Sequence, residues 1–220
     1  ELSELTFARD IRPDKIDFEL LLQRDIDEER VRLEMEPYLN PQQLTPAEIR
    51  SRAVFFPPLL AAIVPTKGKT MAAYYTDEQG DIQLTPGSHK EYIIREWPGL
   101  FKLTYFASAS PSAYRLQIYK GNDDDTIEVG VQREPVQMEI RLAKGNLYGA
   151  RLVIIDGQHR LFTLNKVYEK HPELLENLGV PVCILFAPNA TVQKNREYAS
   201  LIRVPTVPEV FRHLFVDVNS

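Results

Sequence analysis

One stretch constrains this chain more than any other: Arg151-Leu-Val-Ile-Ile-Asp-Gly-Gln-His-Arg160, followed by Leu161-Phe-Thr-Leu-Asn-Lys-Val-Tyr168. Residues 151–155 are a short β-branched run of the kind that forms a buried strand. From His159 the spacing turns helical, with Leu161, Leu164, Val167 and Tyr168 on one face. Lys166 and Lys170 suit the negative end of the helix dipole, and Pro172 stops the helix. Asp156 and Gly157 therefore sit where a strand hands over to a helix. A helix N-terminus presents backbone N–H groups and a partial positive charge, which suits an anion. Gly157 gives a phosphate access to the backbone, and His159 and Arg160 add side-chain donors at the same place. Asp156 suits three roles: capping the helix, holding a metal, or orienting a water. The plainer alternative is a capped turn with Arg160 on the surface.

Upstream, Asp25 with Glu28 predicts a helix start, and Val31, Met35, Tyr38 and Leu39 continue it at helical spacing until Pro37 kinks or ends it. Asp25, Asp27, Glu28, Glu29, Glu34 and Glu36 read as a solvated face. The 54–64 run reads as a strand with a bulge or edge at Pro57-Pro58. Thr66-Lys-Gly-Lys-Thr70 imitates the tail of a phosphate-binding P-loop, but no glycine stands at position 63 and a strand-like Met71–Tyr75 follows, so a hairpin turn is expected. Residues 71–149 are turn-rich, with β-prone runs at Tyr114–Tyr119, Thr126–Gln132 and Val136–Leu142 that predict an antiparallel meander. Asp123-Asp124-Asp125 reads as turn chemistry. Trp97, Phe101, Tyr105 and Phe106 read as core before they read as a base-stacking surface. Thr191–Val204 and Val207–Val216 read as helices carrying a modest basic patch of Lys194, Arg196, Arg203 and Arg212.

Composition narrows the function classes. Of 220 residues, 44% are hydrophobic and 26% charged, ordinary values for a globular domain with a full core. The net charge of −5 opposes a protein that coats nucleic acid through bulk charge, so DNA binding would need a local basic groove. The single cysteine, Cys183, excludes an intrachain disulfide and suits a reducing cytoplasm. Its setting, Val180–Phe186, reads as a buried apolar strand. No apolar run approaches the length of a membrane span, so no membrane partner is expected. A Gly-x-Ser-x-Gly elbow, a His-Glu-x-x-His pair and a Cys-x-x-Cys pair are all missing from the sequence.

Ile155-Asp-Gly-Gln-His-Arg-Leu161 resembles the signature of the DGQHR-domain family, which includes DndB-type proteins of DNA phosphorothioation systems and is similar to the ParB/sulfiredoxin superfamily. Gln23-Arg24, Tyr38-Leu39 and Phe55–Val64 resemble that family's N-terminal half, and Phe215-Val-Asp-Val-Asn-Ser220 its second motif. The resemblance implies one α+β domain over 1–220: a ParB/sulfiredoxin-like mixed sheet with flanking helices, a β-rich insertion at about 71–149, and a further helical region after Ser220. It implies ATP or a related NTP with Mg²⁺. Gly157, Gln158, His159, Arg160, Gln23, Arg24 and Asn219 would bind the nucleotide, Asp156, His159 and Arg160 would carry catalysis, and Asp156 would hold the metal. The implied partners are DNA, the NTP and other DNA-modification or phage-defence proteins in a bacterial cytoplasm. The implied activity is NTP hydrolysis coupled to DNA binding or nicking, with a non-hydrolysing DNA-binding transcriptional regulator as the alternative. Sulfiredoxin relatives carry a cysteine directly before His-Arg; Gln158 stands there, so thiol chemistry is not expected.

Overall fold

The computed structural model describes residues 2–13, 26–40, 44–51, 56–84, 91–106, 115–119, 126–130, 135–198 and 203–219. Strands β1 (Leu5–Phe7) and β2 (Arg12–Pro13) precede helix α1 (Glu28–Arg30), a π-helical turn (Val31–Met35) and α2 (Glu36–Leu39). Next come α3 (Pro46–Ser51), β3 (Leu59–Lys67) and β4 (Thr70–Met71). Strands β5 (Gln79–Leu84), β6 (Glu91–Trp97), β7 (Phe101–Phe106), β8 (Arg115–Tyr119), β9 (Thr126–Gly130) and β10 (Gln137–Ile140) follow. The last elements are β11 (Tyr148–Asp156), α4 (Gln158–Lys170), β12 (Val182–Leu185), α5 (Val192–Tyr198) and α6 (Val207–Asn219). The class is α+β. The chain divides into two compact units, Glu1–Tyr75 with Leu142–Ser220, and Thr76–Arg141.

The first unit is built on a mixed sheet of order β1-β11-β3-β4-β2, with β12 also paired to β3. β11 runs antiparallel to β3, from Tyr148 opposite Lys67 to Asp156 opposite Leu60. β1 is parallel to β11, and β12 is parallel to β3. Ala61–Val64 and Leu152–Ile155 are all buried, because both faces of these two strands are covered. Continuous apolar runs are what such strands require. Ala62, Val64, Val153 and Ile155 share one face with Phe211 and Phe215 of α6. α4 packs against β3 and buries Leu161, Thr163, Leu164 and Val167.

The second unit is an antiparallel sheet of order β10-β7-β6-β5, with β8 and β9 paired separately. The meander expected from the runs at 114–119, 126–132 and 136–142 holds only for its first pair, because β10 joins β7 rather than β9. Trp97 is fully buried and stacks on Phe101, centroids 4.5 Å apart, so it is core rather than a base-stacking surface. Arg95 lies over the Trp97 ring while Glu78 holds its guanidinium at 2.6 and 2.9 Å. Asp123–Asp125 lie outside the described residues.

Four local expectations need correcting. Val182, Cys183 and Ile184 are exposed, because β12 pairs with β3 without burying its side chains; Cys183 is not core. The strand expected at Met71–Tyr75 shrinks to β4, with only an isolated bridge at Tyr75; the hairpin turn before it is present, with Gly68 at φ +64°. Of the two outcomes expected at Pro37, a kink or an end, the end does not fall at the proline: helical backbone runs on to Leu39, with a π-helical turn at Val31–Met35 just ahead of it. Glu36 does not belong to a solvated face, since it pairs with Lys166 of α4 at 2.8 Å and is largely buried. Sequence spacing cannot see a partner 130 residues away.

Thr206 and Glu209 form a reciprocal cap on α6: the Glu209 carboxylate accepts from the Thr206 N–H at 2.8 Å, and the Thr206 hydroxyl accepts from the Glu209 N–H at 3.4 Å. Burial works against the Glu209 carboxylate, but the Thr206 bonds and the charges of Arg203 and His213 hold it below its usual range. A depressed carboxyl contributes stability above its unfolded-state pKa and loses it as pH falls through the folded value. Thr206→Ala should cost about 1 kcal/mol near neutrality. Urea unfolding should show that gap narrowing in acid, as the Glu209 half of the cap is lost in both proteins.

Candidate functional site

The corner at the end of β11 is shaped by a β-bulge. Ile154 pairs with Ala61 and Asp156 with Leu60, leaving Ile155 as the extra residue. Gly157 follows at φ +93° and ψ 21°, a left-handed conformation that side chains rarely tolerate. The first helical bond of α4 runs from the Leu161 N–H to the Gly157 carbonyl at 2.9 Å, and no side chain caps the helix. The cap expected of Asp156 is therefore corrected: the cap position falls on Gly157, one residue later. The Asp156 carboxylate instead accepts from Arg160 Nη2 at 2.7 Å, one helical turn on.

That pair fixes the guanidinium directly over the glycine. A Cβ built on Gly157 would lie 2.8 Å from Arg160 Nη2, 2.9 Å from Nε and 2.6 Å from Leu59 Cδ2. What approaches the Gly157 backbone is the protein's own arginine, not the open space expected for a phosphate. The Arg160 side chain is only 14% exposed and that of Asp156 36%, so the pair is partly screened from water.

Asp156, Gly157, Gln158, His159 and Arg160 all line one cleft of about 740 Å³. Opposite walls come from Arg30, Leu33, Glu34, Met35 and Tyr38, from Phe56-Pro57 before β3, and from Phe215 on α6. The antiparallel register explains Phe56: Leu60 opposite Asp156 brings the start of β3 to the end of β11. The resemblance implies that the Phe215 motif faces the site, and Phe215 does line the cleft, whereas Tyr38 and Phe56 read only as helix and strand residues until this register brings them together. Arg30 pairs with Glu34 at 3.0 Å. His159 Nε2 accepts from the Asp27 N–H at 3.0 Å, so at that atom it is an acceptor, not the donor that the sequence predicts. Asp27 also caps α1 through the Arg30 N–H, a role the sequence placed at Asp25.

Gln23 and Arg24 lie outside the described residues, as does the side chain of Asn219, whose backbone ends α6. Among the described residues no group of three or more His, Cys, Asp or Glu is arranged to hold a metal. Among the described residues no helix is long and apolar enough to cross a membrane. No family model matches the chain, and no curated protein or solved structure matches it. What the cleft can do therefore follows from its own side chains.

Gly157→Ala should lose about 1–3 kcal/mol of stability, the usual cost of a side chain held in a disfavoured backbone region. It should also push Arg160 off its seat. Chemical denaturation would register the first effect; a variant as stable as the parent would contradict the close packing at this glycine.

Proposed function

We propose that the cleft binds the phosphates of a nucleoside triphosphate and that the protein hydrolyses it in association with DNA, within a bacterial DNA-modification or phage-defence system. One observation carries this reading: the Arg160 guanidinium, held by Asp156, sits at the N-terminal end of a 13-residue helix inside a cleft of about 740 Å³. A cleft of that size suits a small-molecule ligand. The resemblance of Ile155–Leu161 to the DGQHR signature supplies the link to DNA modification.

In this reading the amides at the start of α4, those of Gln158 and its neighbours, meet the phosphate oxygens. Arg160 forks onto them and offsets the charge that develops at the leaving oxygen. Tyr38, Phe56 and Phe215 offer faces against which a base can lie. Asp156 orients the attacking water as well as the guanidinium; water adds at the terminal phosphorus, the bridging P–O bond breaks, and the nucleoside diphosphate leaves. Magnesium, when bound with the nucleotide, neutralises phosphate charge. It needs only one or two protein carboxylates, and Asp156 would supply one of them. The roles of Gln23, Arg24 and Asn219 rest on the resemblance alone.

The regulator alternative would place a DNA backbone phosphate in the same cleft. The aromatic lining favours the nucleotide, since Tyr38, Phe56 and Phe215 offer a base what a backbone phosphate cannot use; among the described lining residues Arg30 and Arg160 face Glu34 and Asp156, a balance that gives little attraction to a duplex. Arg160→Ala should lower kcat/KM for ATP by about 2–4 kcal/mol of transition-state stabilisation. Unchanged turnover would remove Arg160 from the chemistry. Steeply salt-dependent DNA binding without turnover would instead select the regulator.

A further inference from the structure

The hydrogen bond between His159 and Asp27 joins two walls of the cleft that are 132 residues apart in sequence. It is one of three contacts stepping along a single face of α4. His159 Nε2 takes the Asp27 N–H at 3.0 Å, Thr163 Oγ1 lies 3.6 Å from Met35 Sδ, and Lys166 Nζ meets Glu36 at 2.8 Å. Positions 159, 163 and 166 are spaced to share a helix face. The segment they grip, residues 27–39, carries Arg30, Leu33, Glu34, Met35 and Tyr38 into the cleft. It contains the π-helical turn, a geometry that secondary structure alone holds poorly. Of the three gripping residues only His159 also lines the cleft.

We propose that His159 is a positioning residue: a neutral imidazole that latches the 27–39 wall onto the first turn of α4 and so sets the width of the cleft. Accepting at Nε2 leaves the ring proton on Nδ1. This assignment rests on the proposed nucleotide site only for the identity of the ligand; the latch itself is a property of the fold.

The test compares His159→Ala with His159→Gln in the full chain. Glutamine carries an uncharged acceptor oxygen about as far from the backbone as Nε2, so it can keep the Asp27 bond. Hydrogen exchange across residues 27–39 should quicken about fivefold or more in His159→Ala, as expected for loss of one anchoring hydrogen bond, and return close to wild type in His159→Gln. ATP affinity measured by calorimetry should fall and recover in the same order. Unchanged exchange in His159→Ala would overturn the latch. So would a His159→Gln protein whose exchange is no closer to wild type than that of the alanine variant. If exchange is rescued by glutamine but ATP affinity is not, the imidazole touches the ligand and is no mere positioner. If the wild-type protein binds no ATP, the nucleotide reading falls, while the exchange data still decide the latch.

Discussion

The left-handed turn at Gly157 is the constraint from which the site follows. A nine-residue strand buried on both faces must pass at once into a helix that packs back against its neighbour β3. The bulge at Ile155 and the positive φ at Gly157 accomplish this in two residues. Only glycine combines that backbone conformation with the absence of a Cβ, and Arg160 takes the space a Cβ would fill. Asp156 then holds the guanidinium from the preceding residue. The placement of Asp156 and Arg160 thus depends on the backbone angle of the glycine between them.

An arginine already paired is a different instrument from one standing open. The Asp156 carboxylate lowers the net attraction of the corner for any anion, yet it fixes the fork of the guanidinium, so less conformational freedom is lost on binding. If the corner binds the proposed phosphates, geometry would contribute more than net charge. The walls point the same way, since aromatic and aliphatic side chains surround a small, balanced set of ions. The proposed nucleotide, with an apolar face and an anionic end, would suit such a surface better than an extended polyanion would.

Much of this was legible in the residues themselves. The run 151–155 and the switch to helical spacing after it correspond to β11 and α4, and the turn-rich middle corresponds to an antiparallel sheet. These signals are local: β-branched runs, 3.6-residue spacing, and glycine or proline punctuation act within a few residues. The errors fall where a distant partner decides. Cys183 lies in an apolar run that would be buried in a central strand, but its strand remains exposed. Glu36 looks like one acid among many until Lys166 meets it.

The sequence by itself determined that a strand ends and a helix begins at residues 156–158, because a β-branched run gives way there to 3.6-residue spacing across a glycine. It also determined that this corner would gather Asp156, Gly157, His159 and Arg160 within one turn. Only the tertiary structure decided which way those groups face: Arg160 over its own glycine, His159 toward the Asp27 amide, and Tyr38, Phe56 and Phe215 around the same cleft. The reason is physical. Propensity and periodicity act through neighbouring residues, whereas a cleft is made by strand register and helix packing that join segments more than a hundred residues apart.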